Sequence, residues 1–524
     1  MRKRFNDTGL CIPNKHFMVD TSAKIEKVMD LVENGEYFTI NRPRQFGKTT
    51  TAFLLYENLQ IQKEYLIIDL SFEGIGDRIF EEEKNITFGF WQMISKRLEL
   101  ATEEELHTIC EMLLPQIQSF KHLSESITTL VQKSQRKIIL LIDEVDKSSN
   151  NILFLHLLGM FRDKYLLQNR GIDKSFHSVI LLGVHDIKNL KRKIRPEDAH
   201  SLNSPWNIAA DFTVDMSFSA TEIQTMLKQY AEETDISMNI PEIAEKIYYY
   251  TSGYPYLVSK MCKVIDEIIL PKTQKKHWTL ENLEESFRYL VNPNHTTTLF
   301  DDLAKNLNNN SDLYDLVFDI VINGDKKKFN LYNPTIGLAA TYGILSVDES
   351  GFCEVHNRIF EKIVYDMMLS KEETSKKQVL ERSLYEGENG ELLLKPALIA
   401  FQNFMRENHS QKDLSFLERE GRLLFLSFLK PILNGKGFDF KEPVVGDERR
   451  VDIVITYLQH KYVLELKRWQ GERYHEKGLQ QLSDYLDLHQ LKEDFLLIYD
   501  FRKTKEYKIE DIKFQDKEIF AVWV

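Results

Sequence analysis

The sequence predicts an α/β protein of several domains, with a helix-covered parallel sheet in its first half and a smaller mixed α/β domain at its end. Three observations lead there. The chain has 524 residues, more than the roughly 250–300 that one hydrophobic core usually holds. Short, nearly continuous apolar runs at 37–40, 65–69, 137–144 and 178–184 alternate with helical patterns. Strands of that kind are buried on both faces, which calls for a parallel sheet. Past residue 400 the pattern changes to short strands with few helices between them.

Composition narrows the function classes. With 43 % apolar and 28 % charged residues the chain is of ordinary globular type, neither disordered nor fibrous. The net charge of −12 excludes a uniformly basic coat for nucleic acid but leaves room for a local basic groove. Cys11, Cys110, Cys262 and Cys353 form no C-x-x-C pair, so neither a cysteine zinc site nor a disulfide framework is expected. Reduced thiols fit the cytoplasm. The basic N-terminus has no apolar run behind it and does not read as a signal peptide. No apolar run reaches the ~18 residues of a membrane span.

The elements follow in order. The first strand, at 37–40, runs into Arg42-Pro43-Arg44-Gln45-Phe46-Gly47-Lys48-Thr49-Thr50 and then into a helical pattern at 52–55. After Phe218 the strands stop, and about 219–290 reads as helices with a turn at Ser252-Gly253-Tyr254-Pro255. From 311 to 370 come helices and a hairpin, Ile344–Val347 and Phe352–Val355 around Asp348-Glu349-Ser350-Gly351, the outline of a winged helix. A polar stretch near 369–392 reads as a linker or an exposed helix boundary. Then come a helix at 416–431, strands near 438–444, 451–457 and 462–466, a helix near 476–488 and a strand at 495–499. The expected domains are 1–217, 218–294 (helical lid), 295–370 (winged helix), 371–400 (linker) and 401–524.

The loop at 42–49 fits phosphate binding. The usual pattern is G-x-x-x-x-G-K-S/T; here Arg42 replaces the first glycine. Backbone N–H groups curled at a helix N-terminus favour an anion. Gly47 permits close approach, Lys48 reaches the β- and γ-phosphates, and Thr49 binds magnesium. The strand ending Asp143-Glu144 supplies the complement: Asp143 holds the magnesium and Glu144 orients and deprotonates the attacking water. A chance Gly-Lys-Thr explains the loop alone, but not the loop together with Asp143-Glu144.

This half resembles the bacterial AAA-ATPase-like P-loop ATPases, related to the STAND branch, through Asn41–Thr50, Ile142-Asp143-Glu144, Asn207–Phe212 and Gly253-Tyr254-Pro255-Tyr256. The resemblance implies that Arg42 is a family trait. It implies that Arg44, Gln45, Phe46, Gly47, Lys48, Thr49, Thr50 and Asp143 surround ATP. Pro255, on the lid, then contacts base or ribose; a turn that closes a helix pair accounts for it equally. It further offers His185 as a γ-phosphate sensor, a satisfied surface histidine being the equal alternative, and Arg192 or Arg195 as an arginine finger, in cis or toward a neighbouring subunit of a homo-oligomer; a solvated charge cluster is the plainer reading of the arginines.

The second constellation is Asp452, Glu465 and Lys467. Asp452 and Glu465 are spaced for a strand, a tight turn and a returning strand. Glu465 and Lys467 share one strand face. Ionised groups in such apolar strands are costly unless paired or on a metal. Converging carboxylates suit magnesium or manganese, with Lys467 orienting a water or neutralising charge on phosphate. A buried salt bridge of Glu465 with Lys467 or Arg450 is the plain alternative. Trp469, Tyr474, Arg468 and Arg473 are placed to stack on a base and hold phosphates, or form an amphipathic rim.

The string resembles the PD-(D/E)XK nuclease superfamily: Glu420 on a first helix, Asp452, Glu465-x-Lys467, and Gln481 and Tyr485 four apart on a helix. Val451 stands for the motif's proline. The resemblance implies a restriction-endonuclease-like domain, with Glu420, Asp452 and Glu465 as metal ligands and DNA as partner. The combined expectation is an ATPase controlling a DNA nuclease, suited to defence against foreign DNA. The alternatives are a nucleotide-switched DNA-binding or scaffold protein and a pure ATPase switch. Lys326-Lys327-Lys328, in the winged helix, reads as a phosphate contact or as a solvated loop.

Overall fold

The structure, a computed structural model, describes residues 2–145, 152–184, 206, 208–273, 276–322, 325–375, 385, 387, 391–408, 425–426, 428–429, 432–433, 437–440, 453–457, 460–469, 479, 493–500, 507–515 and 517–524. The chain divides into two compact units. One comprises Met1–Asn309, Phe329–Asp348 and Glu354–Phe360; the other comprises Asn310–Lys328, Glu349–Cys353 and Glu361–Val524.

The first unit opens with α1 (Ser22–Glu33), β1 (Tyr37–Asn41), α2 (Lys48–Ile61) and β2 (Tyr65–Ser71). Helices α3 (Glu83–Leu100), α4 (Glu104–Leu113) and α5 (Phe120–Lys133) lead to β3 (Lys137–Asp143), and α6 (Ile152–Asn169) leads to β4 (Ser178–Gly183). The four strands form the expected parallel sheet in the order β1-β4-β3-β2. Their Ile, Leu and Val side chains are buried against a core holding Phe90, Trp91, Leu140, Phe154 and Phe161. Trp91 satisfies its indole N–H on the Cys110 carbonyl at 3.0 Å, as a buried indole must. The sheet order brings the C-terminal ends of β1 and β3 to one edge of the unit, on either side of β4.

Beyond β4 come α7 (Ala220–Thr234), α8 (Ile240–Thr251), α9 (Pro255–Val264), α10 (Leu280–Val291) and α11 (Thr298–Asn308). Helix α7 starts on a capping box, with Ser219 and Glu222 satisfying each other's backbone N–H. Helix α9 starts on Pro255, which costs nothing where no intrahelical partner exists for its missing N–H. Helix Pro334–Thr341 follows, then the strands β5 (Leu345–Val347) and β6 (Cys353–Val355) as a two-stranded sheet.

The second unit contains helices Ser311–Val321 and Leu394–Asn408 and a six-stranded mixed sheet. Its strands are β7 (Gly437–Phe440), β8 (Ile453–Tyr457), β9 (His460–Arg468), β10 (Glu493–Tyr499), β11 (Ile509–Phe514) and β12 (Lys517–Trp523). Their order is β11-β12-β10-β9-β8-β7, with β9, β10 and β12 parallel and the other pairs antiparallel. Val463, Leu496, Ile498, Ile519, Ala521 and Trp523 form its core. Gln402 ties the helix Leu394–Asn408 to the sheet by donating to the Lys508 and Trp523 carbonyls at 3.0 and 2.8 Å. Strands β11 and β12 were not expected from the sequence. β9 is also longer than expected at both ends. The expected helices at 416–431 and 476–488 lie largely outside the described residues.

Candidate nucleotide-binding site

Strand β1 delivers the chain into the loop 42–47, and α2 leaves it. Gly47 caps α2 in the left-handed region at φ +82°, a conformation glycine adopts without penalty. The first amides of α2 therefore face the loop, where the helix dipole favours an anion. The Lys48 ammonium spans the loop, donating to the Arg42 and Pro43 carbonyls at 2.9 Å each. Thr49 Oγ1 donates to Asp143 Oδ2 at 3.1 Å, so the end of β3 meets the start of α2. The other Asp143 oxygen accepts the Glu144 N–H at 2.8 Å. Glu144 itself is left-handed at φ +58°, a strained setting of the kind that gathers at functional sites.

Arg42, which replaces the usual glycine, turns away from the phosphate position. Its guanidinium donates to the Asn41 and Val214 carbonyls at 2.7 and 2.5 Å and lies 5.2 Å from the Phe212 ring. Burial lowers its pKa from the usual arginine value. Phe46 is buried edge-on to Tyr254 at 4.7 Å, and the Tyr254 hydroxyl donates to the Arg44 carbonyl. Arg44 pairs with Asp302 at 3.0 Å and Gln45 donates to Thr298 Oγ1 at 2.8 Å, both on α11. Pro255 lies across from Gly47: a Cβ added there would be 3.9 Å from the proline ring. Thr50 accepts the Cys11 N–H at 3.2 Å.

These groups surround a cavity of about 1150 Å³, roomy enough for a nucleoside triphosphate. Phe46, Gly47, Lys48, Thr49, Asp143, Glu144 and Pro255 all line it. Asn6 to Cys11 form another wall. That segment is tied to α9, where Lys260 and Lys263 bracket Asp7 at 2.6 and 2.5 Å and Ser259 donates to the Asn6 carbonyl. Despite its burial, Asp7 has a pKa held below the ordinary carboxylate value by the two lysines. Sequence reading missed the N-terminal wall, Thr298 and Asp302. Pairings across 250 residues leave no local periodicity to find them by.

The hydroxyl of Thr49 and the carboxylate of Asp143 are hard oxygen donors on one spot beside the phosphate loop. They fit a magnesium ion, and the glycine loop with Lys48 fits a triphosphate. His185, Arg192 and Arg195 lie outside the described residues.

In the second unit, Glu465 is buried on β9, and its carboxylate meets Lys467 Nζ at 2.5 Å. The alternating pleat puts both on one face, as the spacing requires. Strand β8 runs antiparallel beside them, with Ile453 opposite Leu464. Asp452, Glu420, Gln481 and Tyr485 lie outside the described residues. Among the described residues no three His, Cys, Asp or Glu side chains gather as a metal site.

Residues 14–191 match the family described as "Predicted AAA-ATPase", and this segment is an AAA-ATPase-like domain with the P-loop ATPase fold. No curated protein matches the chain. Among solved structures, the chain is similar to the Walker-type ATPase of Pyrococcus abyssi at 12 % identity and TM-score 0.46, over 70 % of this chain and 98 % of that one. The RuvB Holliday junction branch migration motor of Thermotoga maritima follows at 13 % identity and TM-score 0.34, over 66 % and 95 %. The ORC2 protein of Aeropyrum pernix, in ADPNP and ADP complexes, has 12 % identity and TM-score 0.36, over 67 % and 93 %. No helix among the described residues is long and apolar enough to cross a membrane.

Proposed function

We propose that the first unit binds and hydrolyses ATP with magnesium, and that it controls a metal-dependent nuclease in the second unit that acts on DNA. The observation that carries the ATPase reading is the 3.1 Å approach of Thr49 Oγ1 to Asp143 Oδ2 beside the left-handed Gly47. It brings the two expected magnesium ligands together from elements 94 residues apart in sequence. In this reading Lys48 leaves its two carbonyls for the β- and γ-phosphates. Glu144 aligns the attacking water, and Pro255 closes on the base or ribose. Lys48→Ala is expected to abolish ATP binding. Glu144→Gln is expected to keep binding and slow hydrolysis. Equal ATP affinity in Lys48→Ala and parent, measured by calorimetry, would sink the assignment.

The nuclease reading rests on Glu465 and Lys467 sharing a buried strand face, with Asp452 and Glu420 proposed as the other metal ligands. Lys467 would hold or orient a water beside the scissile phosphate. The competing reading, a nucleotide-switched DNA-binding or scaffold protein, is favoured by the Lys467–Glu465 pair itself, which neutralises the carboxylate without a metal. Defence against foreign DNA and assembly into a homo-oligomer belong to the same proposal.

A further inference from the structure

The phosphate loop is fastened to α11 at two adjacent residues. Arg44 meets Asp302 at 3.0 Å, and Gln45 meets Thr298 at 2.8 Å. Thr298 and Asp302 are four apart on α11 and so present one face. Gln45 is left-handed at φ +57°, which disfavours any residue with a Cβ and persists only where neighbours impose it. Arg44, Asp302 and Lys48 line the same cavity. Arg44 thus pairs with the Asp302 carboxylate while lining the cavity that the phosphate loop also lines. Helix α11 is also the last of the first unit before the chain passes into the second at Asn310.

We propose that Arg44–Asp302 and Gln45–Thr298 form a clasp that nucleotide phosphate opens. Phosphate competes with Asp302 for Arg44; Gln45 then relaxes, and α11 is released from the loop. By linkage, whatever strengthens the clasp weakens nucleotide binding to the same extent. The proposal rests on the loop's being the nucleotide site, and it names how that site signals along the chain.

The test uses the full chain, with magnesium and ATP in a calorimeter. Asp302→Asn is expected to tighten ATP binding by about two- to five-fold, the scale of an exposed ion pair. In an Arg44→Ala background the same substitution is expected to change nothing. Equal tightening in both backgrounds would mean that Asp302 merely repels phosphate, and the clasp fails. Hydrogen exchange supplies the second readout. ATP should speed exchange of the amides of 298–308 in the parent but not in Arg44→Ala, and in Asp302→Asn exchange should be fast without ATP. Thr298→Val, which removes only the Gln45 bond, should show faster exchange too; unchanged exchange in both variants overturns the proposal. Lys48→Ala separates the two levels. If it binds ATP like the parent, the loop reading falls; if it loses ATP while Asp302→Asn and Thr298→Val behave as the parent, only the clasp falls.

Discussion

His356 is half-buried beside the phosphate loop, its ring edge-on to Phe46 at 6.0 Å and to Tyr254 at 5.6 Å. Burial pushes its pKa down to about 4, against the opposing pull of Asp215. The sign follows directly. The unfolded chain takes up this proton near pH 6.5 and the folded chain only near 4, so the neutral ring's contribution is complete above 6.5 and is lost as pH falls toward 4. Between those values one such proton corresponds to a slope of about 1.4 kcal/mol per pH unit. Thermal unfolding of the parent and of His356→Gln, followed from pH 7 to 4, should show the parent losing more stability. Parallel curves would remove His356 from the acid response. Residues such as Lys48, Thr49 and Asp143 were legible in the sequence, because phosphate chemistry prescribes residue types at short spacings. His356 and Asp302 were not. Each acts through a neighbour that only the fold brings near.

At the scale of elements, the turn between α8 and α9 shows how a helix pair is set against the phosphate loop. Gly253 sits at φ +71°, and a Cβ there would run into the Phe218 backbone. Its carbonyl accepts the Phe218 N–H at 2.8 Å. The next residues place the Tyr254 hydroxyl on Arg44 and the Pro255 ring opposite Gly47. Gly253→Ala is therefore expected to destabilise the first unit by about 2 kcal/mol or more, since strain and clash add. A melting temperature within 1–2 °C of the parent, on the scale of ~2–4 °C per kcal/mol for large domains, would show that the turn relaxes easily. The four parallel strands were legible because burial on both faces makes them continuous apolar runs. β11 was hidden for the opposite reason: an edge strand, it alternates exposed and half-buried residues with charges among them. β12 carries a visible apolar run, Ile519–Trp523, but Gln515-Asp516 before it lacks the glycine that marks a tight hairpin.

For the whole molecule, the proposed function assigns a separate chemistry to each unit, and coupling is the property to measure. If the first unit controls the second, cleavage of DNA should differ between ATP, a non-hydrolysable analogue and no nucleotide, because only differential binding to two conformations shifts an equilibrium. Cleavage should stop in EDTA and return with magnesium or manganese. Lys467→Ala should slow it by roughly 10²–10⁴-fold if the ammonium acts on water or developing charge. Cleavage that survives EDTA would refute the metal-dependent reading, and identical cleavage with and without nucleotide would leave the units uncoupled.

The position of β12 has a consequence for how the protein is made. It comes last in sequence within the second unit, yet it lies inside the sheet, between β11 and β10. During synthesis, β7 to β10 emerge first, and Phe495–Tyr499 waits with its backbone edge unpaired and its largely apolar side chains uncovered. Such an edge pairs with any strand it meets. The second unit must therefore finish folding after translation has passed Trp523, and a stalled or truncated chain lacking 517–523 would be a template for aggregation and a natural client for chaperones.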